Sequence, residues 1–454
     1  MNALYVICGL GFISLVAEIV NLKKGLGIVV MLGLMFSIVL VAMDWGSSLH
    51  YYNDMVVFDN FSMAFTGLII AVSISWFWMA GDYFKGQSHQ TDRSALILFA
   101  MVGAVIMVSF NNMAMLFLGI EILSISLYAL AGSNKESLFS NEAAFKYFLM
   151  GSFATGFLLM GIALIYGASG SFHIAIIAEH LSSHTDTLPT FFYAGVVLML
   201  VGMAFKISAV PFHFWAPDVY EGSPVTVTAF MSTVVKIAAV AAFYRVFSFC
   251  FSSVQSTWIT ILQVITVLTL VIPNVTAVYQ ISVKRMLAYS SVGHVGYILL
   301  AFIANSTTSP ETIFYYLAAY STASIAAFSV LHEVENAKAG FNGLYKRSPL
   351  LAVVMTIALL SLAGIPPLAG FFGKYLVFAQ ALQHGYSGLV IIGVFTSLIG
   401  VYYYFMVVIA MFLKDSEGEP INISLSSKIL MTLLAVLSVM LGLFPDRVIS
   451  LIAQ

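Results

Sequence analysis

Charged side chains are scarce in this chain: aspartate, glutamate, lysine and arginine make up 8% of its 454 residues, while 61% are hydrophobic and the mean hydropathy is +1.00. A soluble domain of this length does not need so much apolar surface, so the composition predicts a membrane protein. The net charge of −2 comes with neither a basic patch for nucleic acid nor an acidic tail. We therefore expect a lipid bilayer as a partner and exclude nucleic acid.

Cysteine is nearly absent as well. Cys8 and Cys250 are far apart in the sequence and lack the spacing of metal ligands, which excludes a disulfide framework and gives no reason to expect a metal centre. No cysteine cluster of the kind that holds an iron–sulfur centre and no dinucleotide-binding fingerprint is present. The sequence therefore predicts no cofactor bound by this chain.

Long apolar runs fill the chain instead. We count about fourteen segments of the length that spans a bilayer, which predicts an all-α polytopic membrane protein with a single embedded domain over 1–454. Their approximate ranges are 3–21, 25–43, 60–80, 94–110, 112–131, 142–167, 189–210, 223–247, 256–278, 284–304, 311–332, 349–382, 386–412 and 425–444.

Cationic residues orient these spans, because cytoplasmic loops collect lysine and arginine. With both termini outside, most of the 18 cationic residues fall on cytoplasmic connections or flanks, namely Lys23, Lys24, Lys85, Arg93, Lys135, Lys284, Arg285, Lys338, Lys346, Arg347, Lys414 and Lys428. The outward connections 44–59 and 168–188 contain neither Lys nor Arg. Within 168–188, the stretch SFHIAIIAEHLSSH predicts a short amphipathic helix on the outer surface. We expect a multi-pass membrane protein with both termini outside.

Two of the spans contain helix-breaking residues. Segment seven reads MAFKISAVPFHFWAPD and segment twelve reads SLAGIPPLAGFFGKYL. Proline removes a backbone donor and glycine tolerates irregular backbone, while unwound backbone at membrane depth must be buried in protein or face water. The sequence therefore predicts that helices seven and twelve are broken beside a polar cavity; the residues responsible are Pro211, Pro217, Gly364, Pro366, Pro367 and Gly370.

The two breaks lie five spans apart, which predicts two five-helix repeats, helices 4–8 and 9–13. An odd number of spans inverts the second copy, and inverted repeats with paired broken helices are a common transporter design. The corresponding divisions are 1–93 for the first three helices, 94–250 and 251–413 for the repeats, and 414–454 for the last helix.

Four ionisable residues lie deep within predicted spans: Glu121, Lys206, Lys236 and Lys374. An ionised side chain there costs several kcal/mol, and such residues commonly mark proton or ion paths. Burial disfavours a charged lysine and a nearby carboxylate favours it. A lysine whose carboxylate partner approaches and retreats can therefore load and release a proton. Glu121 is the candidate partner of Lys206; fixing helix packing through Ser124 or Ser126 is the alternative role for Glu121.

Two further residues have open interpretations. Lys146 lies four residues after Glu142 near the start of its helix, so its long side chain either snorkels to the interface or joins a proton relay. His294, near midspan in the second helix of the second repeat, either relays protons near neutral pH or packs as a satisfied histidine. Nearby Ser290, Ser291 and Tyr297, with Tyr402–404 farther along, either support a hydrated path or simply pack.

At these residues the chain resembles the antiporter-like membrane subunits of respiratory complex I. The resemblance covers nearly the whole chain and rests on FKISAVPFHFWAPDVYEGSP, KRMLAYSSVGHVGY and AGIPPLAGFFGKY, together with a glutamate in helix five. It implies two inverted five-helix bundles and proton translocation. By resemblance, Glu121 pairs with the helix-seven lysine, Lys206, and Lys236 is the connecting residue of helix eight.

The resemblance also places Lys374 as the terminal lysine of helix twelve, Lys146 as the helix-six lysine and His294 in the central axis. It implies that the other membrane subunits of the complex are partners, and that NADH, flavin, iron–sulfur clusters and quinone belong to other subunits. Two alternatives stay open: a subunit of a multi-component sodium/proton antiporter, and a non-conducting structural subunit.

Overall fold

The computed structural model describes residues 1–20, 25–84, 90–184, 187–336, 340–415 and 418–452. Over these ranges the chain is almost entirely helical, which confirms the predicted all-α class. A short hairpin that the sequence did not predict joins strands β1 (Leu49–Tyr51) and β2 (Val56–Phe58) in antiparallel pairing. Four of the orienting cations, Lys23, Lys24, Lys85 and Lys338, lie outside the described residues.

The helices follow one another along the chain with short connections. In order they are α1 (Asn2–Ile19), α2 (Leu26–Met43), α3 (Asn60–Phe84), α4 (Gln90–Ser109), α5 (Met113–Ala131), α6 (Leu138–Ser169), α7 (Ile174–Ser183), α8 (Thr190–Lys206), α9 (Trp215–Gly222), α10 (Val225–Ser232), α11 (Val234–Tyr244), α12 (Gln255–Val278), α13 (Val283–Ala304), α14 (Ser309–Asn336), α15 (Leu344–Arg347), α16 (Pro349–Ala363), α17 (Ala369–Gln383), α18 (Ser387–Leu413), α19 (Leu425–Leu443) and α20 (Pro445–Ile452). A π-helical turn over Arg245–Cys250 and a 3₁₀ turn over Ser252–Val254 join α11 to α12.

Among the described residues, twelve helical segments are long and apolar enough to cross a bilayer. The two remaining predicted spans, 189–210 and 349–382, are the interrupted ones, and they appear as the shorter helices α8, α16 and α17. The polytopic architecture is therefore confirmed. Helix α7 coincides with the short amphipathic helix predicted within 168–188.

Both predicted interruptions are present. After α8 ends at Lys206, the chain is irregular until α9 begins at Trp215, and Pro211 lies within this segment. After α16 ends at Ala363, Gly364 adopts a positive φ of 84° and the segment with Pro366 and Pro367 leads to α17. Only glycine takes up this backbone conformation without steric cost.

Two of the predicted break residues lie in helices instead. Pro217 occupies the first turn of α9, where its missing N–H is not required for helix hydrogen bonds. Gly370 is the second residue of α17, and a Cβ atom there would lie 1.8 Å from the carbonyl oxygen of Ser361. Gly370 thus permits close approach of α16 and α17 rather than irregular backbone.

Small residues also bring neighbouring spans together. Helix α6 packs against α8 where Gly161 faces Gly195, and a Cβ atom at Gly161 would lie 2.8 Å from the Gly195 carbonyl. Helices α4 and α5 meet in the same way at Gly103 and Gly119. Close backbone approach at small residues is the usual packing mode of membrane helices.

Connections that the sequence assigns to the same side contact one another. At the predicted outer end, Arg245 binds Asp59 and donates a 3.0 Å hydrogen bond to the Phe110 carbonyl. At the opposite end, Lys346 pairs with Asp415 at 2.9 Å. Each of these contacts therefore joins connections that the sequence predicts on one side of the membrane.

Candidate functional site

Lys206 and Glu121 lie near each other at the junction of α5 and α8. The Lys206 side chain is buried, and its Nζ atom donates a 2.8 Å hydrogen bond to the hydroxyl of Ser124, one turn after Glu121 on α5. The carboxylate of Glu121 acts electrostatically on Lys206, yet these two described residues form no ion pair within 4.0 Å. Glu121 Oε1 is buried without a hydrogen-bond partner among the described residues. Ser124 therefore takes the contact that the sequence suggested for Glu121.

The break after Lys206 is held by side chains that bind its irregular backbone. Trp215 Nε1 donates to the Phe205 carbonyl at 3.1 Å, and the Val210 amide donates to Thr269 Oγ1 at 2.9 Å. Trp215 also stacks on Tyr147, with ring centroids 4.6 Å apart. Because broken backbone leaves polar groups without helical partners, these contacts fix the end of α8 and with it the position of Lys206.

Lys236 lies at the start of α11, just after a break that the sequence did not predict. Helix α10 ends at Ser232 and α11 begins at Val234, while the hydroxyls of Ser232 and Thr233 both donate to the Ala229 carbonyl. Hydroxyl bonds of this kind bend helices. The buried Lys236 amine donates to both the carbonyl and the hydroxyl of Ser291 on α13.

His294 is one turn beyond Ser291 on α13 and is buried. Its Nδ1 atom lies 2.7 Å from the hydroxyl of Tyr316, and its Nε2 atom lies 3.4 Å from the hydroxyl of Tyr404. Lys236 binds Ser291, one turn before His294 on α13, and the Lys374 amine faces the ring of Tyr297, one turn after it. His294 therefore lies between the contacts of the two lysines, and both of its ring nitrogens face groups that can donate or accept a proton.

Lys374 lies on α17, directly beside the second break. Its amine donates to the carbonyl of Ala363, the last residue of α16, at 2.8 Å and to Ser397 Oγ at 2.8 Å. The amine also lies 4.8 Å from the centre of the Tyr297 ring. The carbonyl groups at a helix end lack helical partners, so the interruption itself supplies an acceptor for the ammonium group.

Lys146 belongs to a different environment. It pairs with Asp218 at 2.7 Å and with Glu142 at 2.7 Å, and its side chain is 38% exposed. Arg285 binds Asp218 as well, at 2.9 Å, and binds Glu221 at 2.6 Å. These five residues line a cavity of about 600 Å³, which we call the ion-pair cavity. Lys146 thus forms ion pairs at a cavity instead of lying buried in a span.

The structure places the contacts of Lys236, His294 and Lys374 along successive turns of α13 and places Glu121 near Lys206. It also identifies partners that the sequence did not point to, chiefly Tyr316 and Ser397, which carry no motif that distinguishes them from packing residues. Asp218 is a further partner of Lys146. The spacing of charges along α6 could not reveal it, because Asp218 lies on α9. Within the described ranges, no group of three or more His, Cys, Asp or Glu side chains could hold a metal ion.

Known proteins share both this sequence and this fold. A family model described as NADH:quinone oxidoreductase/Mrp antiporter, TM, matches residues 110–400. NADH-quinone oxidoreductase subunit N of Cytophaga hutchinsonii is 43% identical over 458 residues, which is 99% of each chain. A chain of respiratory complex I from Thermus thermophilus with bound aureothin has a TM-score of 0.84 at 32% identity, covering 99% of this chain and 98% of that one. A chain of the Mrp complex from Dietzia sp. DQ12-45-1b has a TM-score of 0.90, covering 99% and 95%, but at 21% identity it shares the fold alone.

Proposed function

Because this chain belongs to the NADH:quinone oxidoreductase/Mrp antiporter family of membrane subunits, we propose that its buried charges form one proton route, in the order Glu121, Lys206, Lys236, His294 and Lys374. The chain is a proton-translocating, antiporter-like subunit N of NADH-quinone oxidoreductase, and its partners are the other membrane subunits of that complex. The resemblance seen in the sequence is thereby confirmed.

The contacts around α13 are the observation that carries the route. Lys236 binds Ser291, His294 follows one turn later, and Lys374 faces the ring of Tyr297 one turn beyond His294. Lysine and histidine exchange protons through their nitrogen atoms, while serine and tyrosine hydroxyls both donate and accept. These side chains therefore offer protonatable groups from α11 to the second break.

The Glu121–Lys206 couple supplies the control step. Energy released elsewhere in the complex changes the separation of the carboxylate from the ammonium group, and Ser124 holds the lysine while they are apart. At about 6 Å and an effective dielectric constant near 20, a pair of unit charges interacts by roughly 3 kcal/mol. A change of this size switches the lysine between its loaded and empty states and passes a proton toward Lys236.

Redox chemistry lies outside this chain in our proposal. NADH, flavin, iron–sulfur clusters and quinone are bound by other subunits, since Cys8 and Cys250 are separate free cysteines and the buried site offers amines, hydroxyls and one imidazole. This chain contributes the movement of protons across the membrane.

The membrane arrangement follows the same proposal. Both termini face outward from the bacterial inner membrane, and the ion-pair cavity faces the cytoplasm, since Lys146 and Arg285 line it. Helices 94–250 and 251–413 form the two inverted repeats, flanked by 1–93 and 414–454. The two interrupted helices, each next to a buried lysine, support this division.

A subunit of a multi-component sodium/proton antiporter is the second candidate, because the Mrp complex shares the fold. Sodium-dependent transport without NADH oxidation would favour it. A purely structural subunit is the third candidate. It predicts that removing the lysines prevents assembly, whereas a proton route predicts assembled complexes that pump poorly.

The test uses the intact complex reconstituted in lipid vesicles. We expect Lys206→Ala, Glu121→Ala and Lys374→Ala to lower the number of protons translocated per NADH oxidised, while the complex still assembles. Lys428→Ala is the matched control, since Lys428 lies on α19, away from the buried site. Unchanged stoichiometry and turnover in all three buried-site variants would overturn the proposed route.

A further inference from the structure

A second cavity opens at the same end of the molecule as the ion-pair cavity. It has a volume of about 560 Å³ and lies between α12, α13 and α18; we call it the α18 cleft. Its walls include Gln280, Lys284, Tyr403, Met406 and Lys414. Lys284 borders both cavities, which places them side by side. The walls combine these polar groups with apolar side chains, and a cavity of this size admits several water molecules, each of which needs about 30 Å³.

Tyr403 forms the inner wall of the α18 cleft. The residue is only 4% exposed although it lines the cleft, so its side chain points from the cleft into the protein. Its hydroxyl donates a 3.1 Å hydrogen bond to Asn274 Oδ1. Asn274 is itself buried in α12 and donates to the Leu270 carbonyl at 2.7 Å. The asparagine therefore fixes the Tyr403 hydroxyl at the boundary between the cleft and the buried site.

A short series of hydroxyl groups continues inward from Tyr403. The rings of Tyr403 and Tyr404 are in contact, with their centroids 4.5 Å apart, while the Tyr403 hydroxyl is directed to Asn274. The Tyr404 hydroxyl is hydrogen-bonded to Ser290 and lies 3.4 Å from His294 Nε2. All of these groups are buried. Tyr403 thus packs on Tyr404 at the cleft and the Tyr404 hydroxyl faces the imidazole, while neither Lys206 nor Lys236 belongs to this series.

We propose that the α18 cleft is a second proton inlet, which supplies His294 through the hydroxyls of Tyr403 and Tyr404 without passing through Lys206. A protonated water in the cleft gives a proton to the Tyr403 oxygen, the Tyr403 hydroxyl turns from Asn274 toward Tyr404, and each hydroxyl passes its own proton to the next oxygen. The series ends when Nε2 of His294 gains a proton, so the tyrosines undergo no net change. This inference rests on the proposed function, since it takes His294 as a member of the proton route.

The geometry favours a relay over simple packing because the two ring nitrogens of His294 face hydroxyls from opposite sides. Tyr316 on α14 faces Nδ1, and Tyr404 on α18 faces Nε2. A histidine that only packs needs a hydrogen-bond partner for each ring nitrogen. It does not need further hydroxyls between it and a cleft that is large enough for water. The same arrangement gives His294 a proton source that is separate from the lysine route.

The test measures protons translocated per NADH oxidised in the reconstituted complex for Tyr403→Phe and Tyr404→Phe. Each substitution removes one hydroxyl and keeps the ring. Tyr402→Phe is the matched control, because Tyr402 borders the same cleft, is 55% exposed and makes no hydrogen bond with another described residue. We expect a lower ratio for both buried variants and an unchanged ratio for the control. Equal ratios in Tyr403→Phe and Tyr402→Phe would overturn the inlet.

Combination with Lys206→Ala separates this inference from the proposed function. Parallel inlets predict that Lys206→Ala with Tyr403→Phe loses the sum of the two single losses. A double variant no worse than Lys206→Ala alone overturns the second inlet and leaves the lysine route standing. Normal pumping by Lys206→Ala and Lys374→Ala, in contrast, removes the proposed function itself.

A second variant covers the case in which Tyr403→Phe fails to assemble. Met406 lines the α18 cleft and is half exposed, so Met406→Trp fills the cleft without touching the buried hydroxyls. We expect it to lower pumping, whereas Ile409→Trp, on the same helix but outside the cleft, leaves pumping unchanged. Normal pumping by Met406→Trp overturns the inlet.

Discussion

The amine of Lys206 donates a 2.8 Å hydrogen bond to the hydroxyl of Ser124, although Glu121 lies one turn away on the same helix as that serine. The carboxylate of Glu121 acts on the lysine from farther off, and its Oε1 atom is without a partner among the described residues. In the proposed switch, this arrangement is the separated state of the couple. Closing the couple requires Lys206 to leave Ser124.

Ser124→Ala should disturb this balance. A hydrogen bond to a charged group contributes about 1.5–3 kcal/mol, so losing the serine shifts the equilibrium between the separated and closed couple. We expect fewer protons translocated per NADH oxidised, with normal assembly. Ser124→Thr keeps a hydroxyl and should pump nearly normally, while Ser126→Ala controls for loss of a serine on the same helix. Normal pumping by Ser124→Ala would show that the hydrogen bond has no part in the switch.

Whether a helix break could be predicted from the sequence depended on the type of residue at the break. Pro211 and the segment from Gly364 to Pro367 disclose their breaks because proline lacks an amide donor and glycine accepts a positive φ. Thr233 gives no such signal, since a threonine is common in ordinary helices, and the break before Lys236 depends on side-chain hydroxyls that bond to the preceding turn.

Contacts between side chains that are distant in the sequence could not be predicted either. Lys146 reads as a helix-end lysine beside Glu142, and its contact with Asp218 exists only because the break after α8 folds α9 against α6. The buried charges themselves were visible because their energetic cost inside an apolar span is large. Position along the sequence reveals that cost but not which hydroxyl or carbonyl offsets it.

The ion pairs of Lys146 predict that arginine can replace this lysine. Lys146→Arg retains the positive charge next to Asp218 and Glu142, so we expect pumping and assembly close to normal. A relay function requires a lysine that gives up its proton, which arginine does not do. A large pumping loss in Lys146→Arg, measured in the reconstituted complex, would therefore argue for a relay.

Asp218 provides a pH test of the same cluster, since it lies on the short helix α9 at the cavity, between the predicted spans 189–210 and 223–247. Burial raises the pKa of its carboxyl, but hydrogen bonds from Lys146 and Arg285 together lower it by a larger amount. The net pKa therefore lies below the ordinary value. The stability that this group contributes is therefore present above the ordinary carboxyl pKa of about 3.9 and is lost as the pH falls through the lowered value.

Lys146→Ala removes one of these hydrogen bonds and should move the Asp218 pKa back toward its ordinary value. We expect the acid-induced loss of thermal stability of the purified complex to begin at a higher pH in Lys146→Ala than in the unaltered protein. Lys146→Arg should retain the original profile. Identical acid profiles for Lys146→Ala and the unaltered protein would contradict the role assigned to this ion pair.

The crossing of α6 and α8 should be sensitive to a single methyl group. A Cβ atom at Gly161 would lie 2.8 Å from the Gly195 carbonyl and 2.9 Å from the Met199 amide nitrogen, both of which are backbone atoms. Overpacking of this kind costs about 1–3 kcal/mol. We expect Gly161→Ala to lower the amount of assembled complex and its thermal stability. Gly156→Ala, on the same helix with nothing within 4 Å of its Cβ, should have no such effect.

Gly364 offers a test of how the second break positions Lys374. Gly364→Ala introduces a Cβ atom 2.9 Å from Lys374 Cδ and places a side chain at a φ of 84°. Gly385, with a φ of 85°, has nothing within 4 Å of its Cβ, so Gly385→Ala carries the same backbone strain without the contact. That strain costs roughly 1–2 kcal/mol. We expect both variants to lose similar thermal stability, but only Gly364→Ala to lose pumping, because displacement of Lys374 breaks its 2.8 Å bonds to Ala363 and Ser397. Equal pumping by the two variants would show that proton transfer does not depend on the position of the Lys374 amine at the break.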